Sequence, residues 1–150
     1  MDKELRNKKM VWKHDEAWPW CDQFYFKQQS VCLELQDTAG LNVNLLLLAQ
    51  YLDSNTGYCL SQQDFQTLID NISAWERKIV IPYRKLRKLA KSMVDEAEYH
   101  KMLDLELTME RKTQRLITNT MRTIQGSGTG SNLANFLQIY SLSTSDIHWN

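Results

Sequence analysis

Glu106 and Glu110 stand one helical turn apart in EYHKMLDLELTMERKTQRLI, a stretch with helical periodicity. Carboxylates at that spacing project from the same helix face. Such a pair can supply half of a two-metal site in a helical bundle, or it can receive arginines. The surrounding series at positions 99, 103, 106, 110, 113, 117, 120 and 124 reads Tyr, Leu, Glu, Glu, Thr, Ile, Thr, Ile. Its apolar members pull the two carboxylates toward the core, where an unpaired charge would cost several kcal/mol. Arg87, at the edge of the apolar stripe Tyr83, Leu86, Ala90 and Met93, is the first expected partner of Glu106, and Arg84 is the second. Asn44 lies inside the apolar run LNVNLLLL and must also find partners. Gln36 and Asp37 end the segment just before it. The expected polar pocket is therefore Gln36, Asp37, Asn44, Arg84, Arg87, Glu106 and Glu110. It could hold an anionic ligand, or it could be a buried network that fixes helix register, the better-attested use of such groups.

Other chemistry is poorly represented. The two-metal architecture needs Glu-x-x-His on partner helices, and no Glu-x-x-His occurs. Glu96, His100 and Asp104 share a helix face, but no fourth ligand is suggested, so neither a metal nor a cofactor is expected. Cys21, Cys32 and Cys59 are odd in number and form no CxxC. They read as three buried thiols in a reducing cytoplasm, not as a disulfide framework or zinc site. Nucleotide-binding and hydrolase fingerprints are absent. Gly126, Gly128 and Gly130 follow a helical segment instead of a strand, which suits a flexible linker and not a phosphate loop.

Charge is arranged in blocks. Residues 76–91 hold seven Lys and Arg against one Glu, and residues 95–110 hold six Asp and Glu against one Lys. A basic block can meet nucleic acid or an acidic surface. Here the chain is neutral overall and the acidic block follows directly. Two antiparallel helices facing each other explain the blocks better than nucleic acid does.

The elements that must carry these residues are helical. The chain has 150 residues with 43% hydrophobic composition, five Gly and two Pro, which excludes disorder and makes a turn-rich β-barrel improbable. No apolar run spans a membrane, and the charged N-terminus lacks a secretory h-region. Residues 1–13 are polar and expected to fray. The first helix is expected over HDEAWPWCDQFYFKQQ, capped by Asp15 with Pro19 in its first turn, Trp18, Trp20 and Phe24 inward, and Tyr25 and Phe26 widening that face. Ser30 should cap a second helix ending at Gly40, and Asn42 should cap the leucine-rich one. Ser61 and Asp64 resemble a capping box for a helix whose apolar residues are Phe65, Leu68, Ile69, Ile72, Trp75 and Ile79. Pro82 should end or kink it near Ile81. A long helix near 95–125 follows, with Met102, Leu105, Met109 and Leu116 as a core stripe. The fold class is all-α, a single-domain bundle of six or seven helices over 1–125. A Gly/Ser linker is expected over 126–131, and a short amphipathic helix and tail over 132–150.

The run W-x-W-C-x-x-F-Y…V-C-L-x-L-Q-D-x-x-G-L-N-V-N-L-L-L-L resembles the signature of a small family of uncharacterised proteobacterial proteins, a domain of unknown function. Its LQ-x-x-x-G-x-x-V-N-L-L-L core is matched by Leu35, Gln36, Gly40, Val43, Asn44, Leu45, Leu46 and Leu47. A second block is matched by Trp75, Pro82, Arg84, Leu86 and Arg87, and a third by Glu106, Leu107, Glu110 and Arg111. The resemblance covers about residues 16–117 and implies a bacterial, soluble, helical protein without assigning an activity. The leading expectation is a cytoplasmic, non-catalytic interaction or adaptor protein. Its unknown protein partner would dock through Leu133, Phe136, Leu137 and Tyr140 on a tethered segment. The competing expectation is a small-molecule-binding bundle or enzyme that uses the Asn/Arg/Glu cluster for an anionic ligand.

Overall fold

A computed structural model describes residues 12–150, so the expectation of a frayed start lies almost wholly outside the described residues. The elements are α1 (His14–Ala39), α2 (Val43–Asn55), α3 (Gln62–Trp75), a π-helix (Glu76–Val80), α4 (Ile81–Ala90), α5 (Glu96–Met121), α6 (Asn132–Gln138) and a 3₁₀ turn (Thr144–Asp146). The class is all-α. Among the described residues there is no strand, only an isolated bridge between Cys59 and Ser127. Gln62 to Ala90 is one unbroken helical run, which gives five helices among the described residues and not the six or seven expected.

The lower count has two causes. Ser30 does not start a helix, because α1 continues past it with a kink at Gln28 (φ −117°, ψ 22°). Pro82 does not stop the chain, because the π-helix ahead of it absorbs the proline. Ile81 N–H donates to the carbonyl of Glu76, five residues back. The wider turn changes which residue faces inward. Ile79, expected on the apolar face, is 40% exposed, and Val80 is fully buried in its place. Pro19 also lies inside its helix, since α1 begins at His14 without a side-chain cap from Asp15.

The chain divides into two compact units, on other lines than the expected bundle, linker and tail. Among the described residues, the first comprises those up to Thr67 together with Ile124–Asn150. Asn42 Oδ1 caps α2 by accepting from Leu45 N–H at 3.2 Å, and Gly40 closes α1 at φ +70°. Ser61 and Asp64 form the reciprocal capping box of α3, with both bonds at 3.0 Å. Leu45, Leu46, Leu48 and Leu52 are fully buried, and α2 packs on both α1 and α6. Trp18 is buried, and Trp20 stacks on Phe24 at 4.9 Å. Phe26, expected on that inner face, is instead 84% exposed. Buried Gln28 grips the backbone of Asn150, donating to its carbonyl at 2.9 Å and accepting from its N–H at 2.7 Å.

Two further expectations fail here. Leu133, Phe136 and Leu137 do not wait for a partner. They are buried, Phe136 packs against Phe65 at 5.4 Å, and half-buried Tyr140 packs on Phe136. An amphipathic stripe this short has a docking site on its own chain. The 126–131 segment is likewise not a free tether. Tyr58 donates to the Ile124 carbonyl at 2.7 Å, Gly128 N–H donates to Cys59 O at 3.0 Å, and the Cys59 thiol donates to Gly130 O at 3.4 Å. Asp53 then accepts from Ser131 Oγ and from the N–H groups of Asn132 and Leu133, which anchors the start of α6.

The cysteines are free, Cys21 and Cys32 buried and Cys59 half-buried. Burial, reinforced by Asp22, pushes the Cys21 thiol far above its ordinary value, and burial pushes Cys32 up to about 11. Only the thiolate attacks a disulfide reagent, and at pH 8 a thiol of that pKa is ionised roughly once in a thousand molecules. Native protein treated with an aromatic disulfide at pH 8 is expected to release less than one equivalent of thiol quickly, and three after denaturation. Rapid release of three equivalents from folded protein would contradict this packing.

The second unit, Leu68–Thr123, carries the polar seam. The helical run through α4 packs on α5, which starts with a full capping box between Asp95 and Glu98.

Candidate functional site: a closed arginine–glutamate seam

Arg84 and Arg87 lie three residues apart on α4, and Glu106 and Glu110 four apart on α5, so each pair shares a helix face. The two faces meet. Arg87 forms a two-pronged contact with Glu106, Nε to Oε1 at 2.7 Å and Nη2 to Oε2 at 3.2 Å. Its Nη1 donates to the Tyr99 hydroxyl at 3.2 Å. Arg84 Nη2 donates to Glu110 at 2.9 Å, and its Nε lies 4.0 Å from Glu106. The Arg87 and Glu106 side chains are each 16% exposed. Charge-assisted bonds of this fork geometry are the strong ones. The Glu106 bonds outweigh the opposing effect of burial and hold the Arg87 guanidinium above its ordinary value.

Residues outside the expected set extend the seam. The Tyr83 hydroxyl donates to the Met102 carbonyl at 2.8 Å. Burial, and then the charge of Glu106, pushes this phenol above its usual value. Beyond Arg84, the Trp75 indole donates to Thr113 Oγ1 at 3.1 Å, and the Thr113 hydroxyl donates to Glu76 Oε1 at 2.8 Å. Thr113 is fully buried and Glu76 nearly so. The Lys112 ammonium sits over the Trp75 ring, 4.4 Å from its centroid. Signals for some of these were present. Tyr99 and Thr113 stand in the same series as Glu106, and Glu76 is the lone acid of the basic block. Nothing in the spacing announced the π-helix that turns Glu76 inward.

The seven expected pocket residues divide between the units. Arg84, Arg87, Glu106 and Glu110 form the seam. Gln36, Asp37 and Asn44 belong to the first unit. There Gln36 is half-buried, Asp37 exposed and Asn44 buried. A cleft of about 250 Å³ in that unit lies between Val31, Leu35 and Thr38 of α1 and Leu142, Asp146 and His148, and none of the seven lines it.

Chemically the seam is saturated. Both guanidinium groups are engaged by carboxylates, and an incoming anion would have to displace Glu106 or Glu110. Among the described residues no group of three or more His, Cys, Asp or Glu is placed to hold a metal ion. His100 and Glu96 approach at 3.8 Å in an exposed pair. What the seam can do is lock the register of α4 against α5.

A family model described as "Protein of unknown function (DUF2390)" matches residues 16–117, a stretch that includes every member of the seam. No curated relative and no solved structure matches the chain.

Proposed function

The chain belongs to the DUF2390 family of proteins of unknown function, and we propose that it is a non-catalytic interaction protein whose docking surface is the outer flank of α4 and α5. One observation carries the reading. Glu98, Met102, Leu105, Met109, Lys112 and Leu116 follow a 4-3-4-3-4 spacing, the seam of a helix that packs on another helix. Its apolar members, expected as core, are not fully buried: Leu105 is 48% exposed, and Met102, Met109 and Leu116 are half-buried. Leu86, on the neighbouring helix, is 54% exposed. Exposed apolar residues that cluster along one stripe are the mark of an interaction site, whereas scattered ones are not. The closed arginine–glutamate pairs support the same reading, because they give the stripe a rigid backing and commit both guanidinium groups to carboxylates. Three unbridged thiols, and no helix among the described residues long and apolar enough to cross a membrane, suit a bacterial cytoplasm.

Photo-crosslinking tests the reading. A benzophenone amino acid at position 105 is expected to give a discrete protein adduct in native extract, and the same group at exposed Asp104, on the other flank, is not. An anion that raises the melting temperature of the wild type but not of Arg87→Met, with no adduct at position 105, would overturn the proposal in favour of a ligand-binding bundle.

A further inference from the structure

We infer that the partner docked on this stripe is a second copy of the chain, held antiparallel by its own α5. The inference rests on the interaction reading above and names its partner. A two-fold interface presents the same patch from both sides, so the patch must be complementary to itself. The α5 stripe meets that requirement about Leu105. Glu98 lies seven residues before Leu105 and Lys112 seven residues after it. Seven residues are two turns, so all three share one line along the helix, with each charge about 10.5 Å from the centre. When a second α5 is laid antiparallel with its Leu105 against the first, Glu98 of each copy faces Lys112 of the other. Met102 and Met109 fall on either side of the centre, and their flexible side chains fill the space between two facing helices.

The stripe is built for such a neighbour. Both end charges are exposed. Lys112 is held in position over Trp75, and Glu98 is fixed through Oε1, which accepts from Asp95 N–H at 3.0 Å. The second carboxylate oxygen supplies lone pairs for an ammonium. The Tyr83–Met102 hydrogen bond joins α4 to the same flank. Leu86, one turn beyond Tyr83, therefore widens the apolar strip beside the α5 stripe. A lipid surface fits less well. Glu98 lies within the stripe, and Asp95 and Glu96 are exposed beside it. An anionic bilayer would repel all three.

Sedimentation equilibrium on the full chain tests the inference, with circular dichroism to confirm that each variant folds. The wild type is expected at twice the 17.7 kDa chain mass at about 100 μM and to dissociate on dilution. Leu105→Glu should sediment at the chain mass. Lys112→Glu alone and Glu98→Lys alone should each weaken association at least tenfold, because every change acts at both ends of a two-fold interface. The double variant Glu98→Lys with Lys112→Glu should return to within about threefold of the wild type. A wild type that stays at the chain mass throughout overturns the inference, and so does a dimer indifferent to Leu105→Glu or a double variant as weak as the singles. A wild type that stays monomeric while position 105 still crosslinks to a different protein in extract overturns only the identity of the partner. Absence of both dimer and adduct overturns the interaction reading as well.

Discussion

Glu106→Gln is expected to lower folding stability by roughly 2–4 kcal/mol. That is somewhat less than the full cost of breaking a buried pair, since the side chains keep some access to water. The loss comes from the arginine left behind. Arg87 makes two bonds to Glu106 and one to Tyr99, and its guanidinium cannot shed its proton when the carboxylate is neutralised. Arg87→Met strands Glu106 in the same way, although Arg84 at 4.0 Å softens that outcome. The double variant should therefore cost less than the two singles added together, by about 1.5–3 kcal/mol. Pairing Glu106→Gln with Arg84→Met should give a coupling below about 1 kcal/mol, because Arg84 spends its short bond on Glu110. Urea unfolding of the two cycles checks the ranking. Equal couplings, or additivity in the Arg87 cycle, would show that the seam does not act as drawn.

How far the sequence could be read depended on which property of a residue was in question. Spacing tells which side chains share a face. That is why the meeting of the Arg84–Arg87 turn with Glu106 and Glu110 could be anticipated, along with the Asn42 cap and the Ser61–Asp64 box. Spacing does not tell what covers a face. Leu105 and Phe136 both sit on apolar stripes, yet Leu105 is half exposed and Phe136 has none of its surface exposed. The difference lies in partners distant in sequence: Phe65 covers Phe136, and among the described residues no comparable cover reaches Leu105. Periodicity also assumes an unbroken count of 3.6. The π-helix before Pro82 widens one turn, so Val80 replaces Ile79 in the interior and Glu76 reaches Thr113. The kink at Gln28 is the reverse case, a local irregularity inside a helix that lets a buried amide reach Asn150, 122 residues away. Composition misled most at Gly126–Gly130, where small residues promised freedom and the fold uses them for close approach.

Gly128→Ala measures that close approach. A Cβ built at Gly128 would lie 2.5 Å from the carbonyl carbon of Leu60 and 2.5 Å from the amide nitrogen of Ser61, both backbone atoms that cannot rotate away. Relief requires the segment to lift, which would break the Gly128 N–H bond to Cys59 and strain Leu60 and Ser61. Leu60 is held by Asn132 and Asn135, and Ser61 opens the capping box of α3, so the disturbance would reach two helix starts. Overpacking of about 1–3 kcal/mol and a lost hydrogen bond of about 1 kcal/mol put the expected cost near 3 kcal/mol. Gly130→Ala is the control. Gly130 has a positive φ of +84° but nothing within 4 Å of its added Cβ, so it should lose only the backbone term of roughly 1–2 kcal/mol. The measurement is a pair of urea melts, with hydrogen exchange at the Gly128 amide. Gly128→Ala should be the more damaging of the two and should release protection at that amide in the native state. If Gly128→Ala is as stable as the wild type, the 126–131 segment is a tether after all. If the two variants cost the same, backbone conformation and not close packing governs the segment.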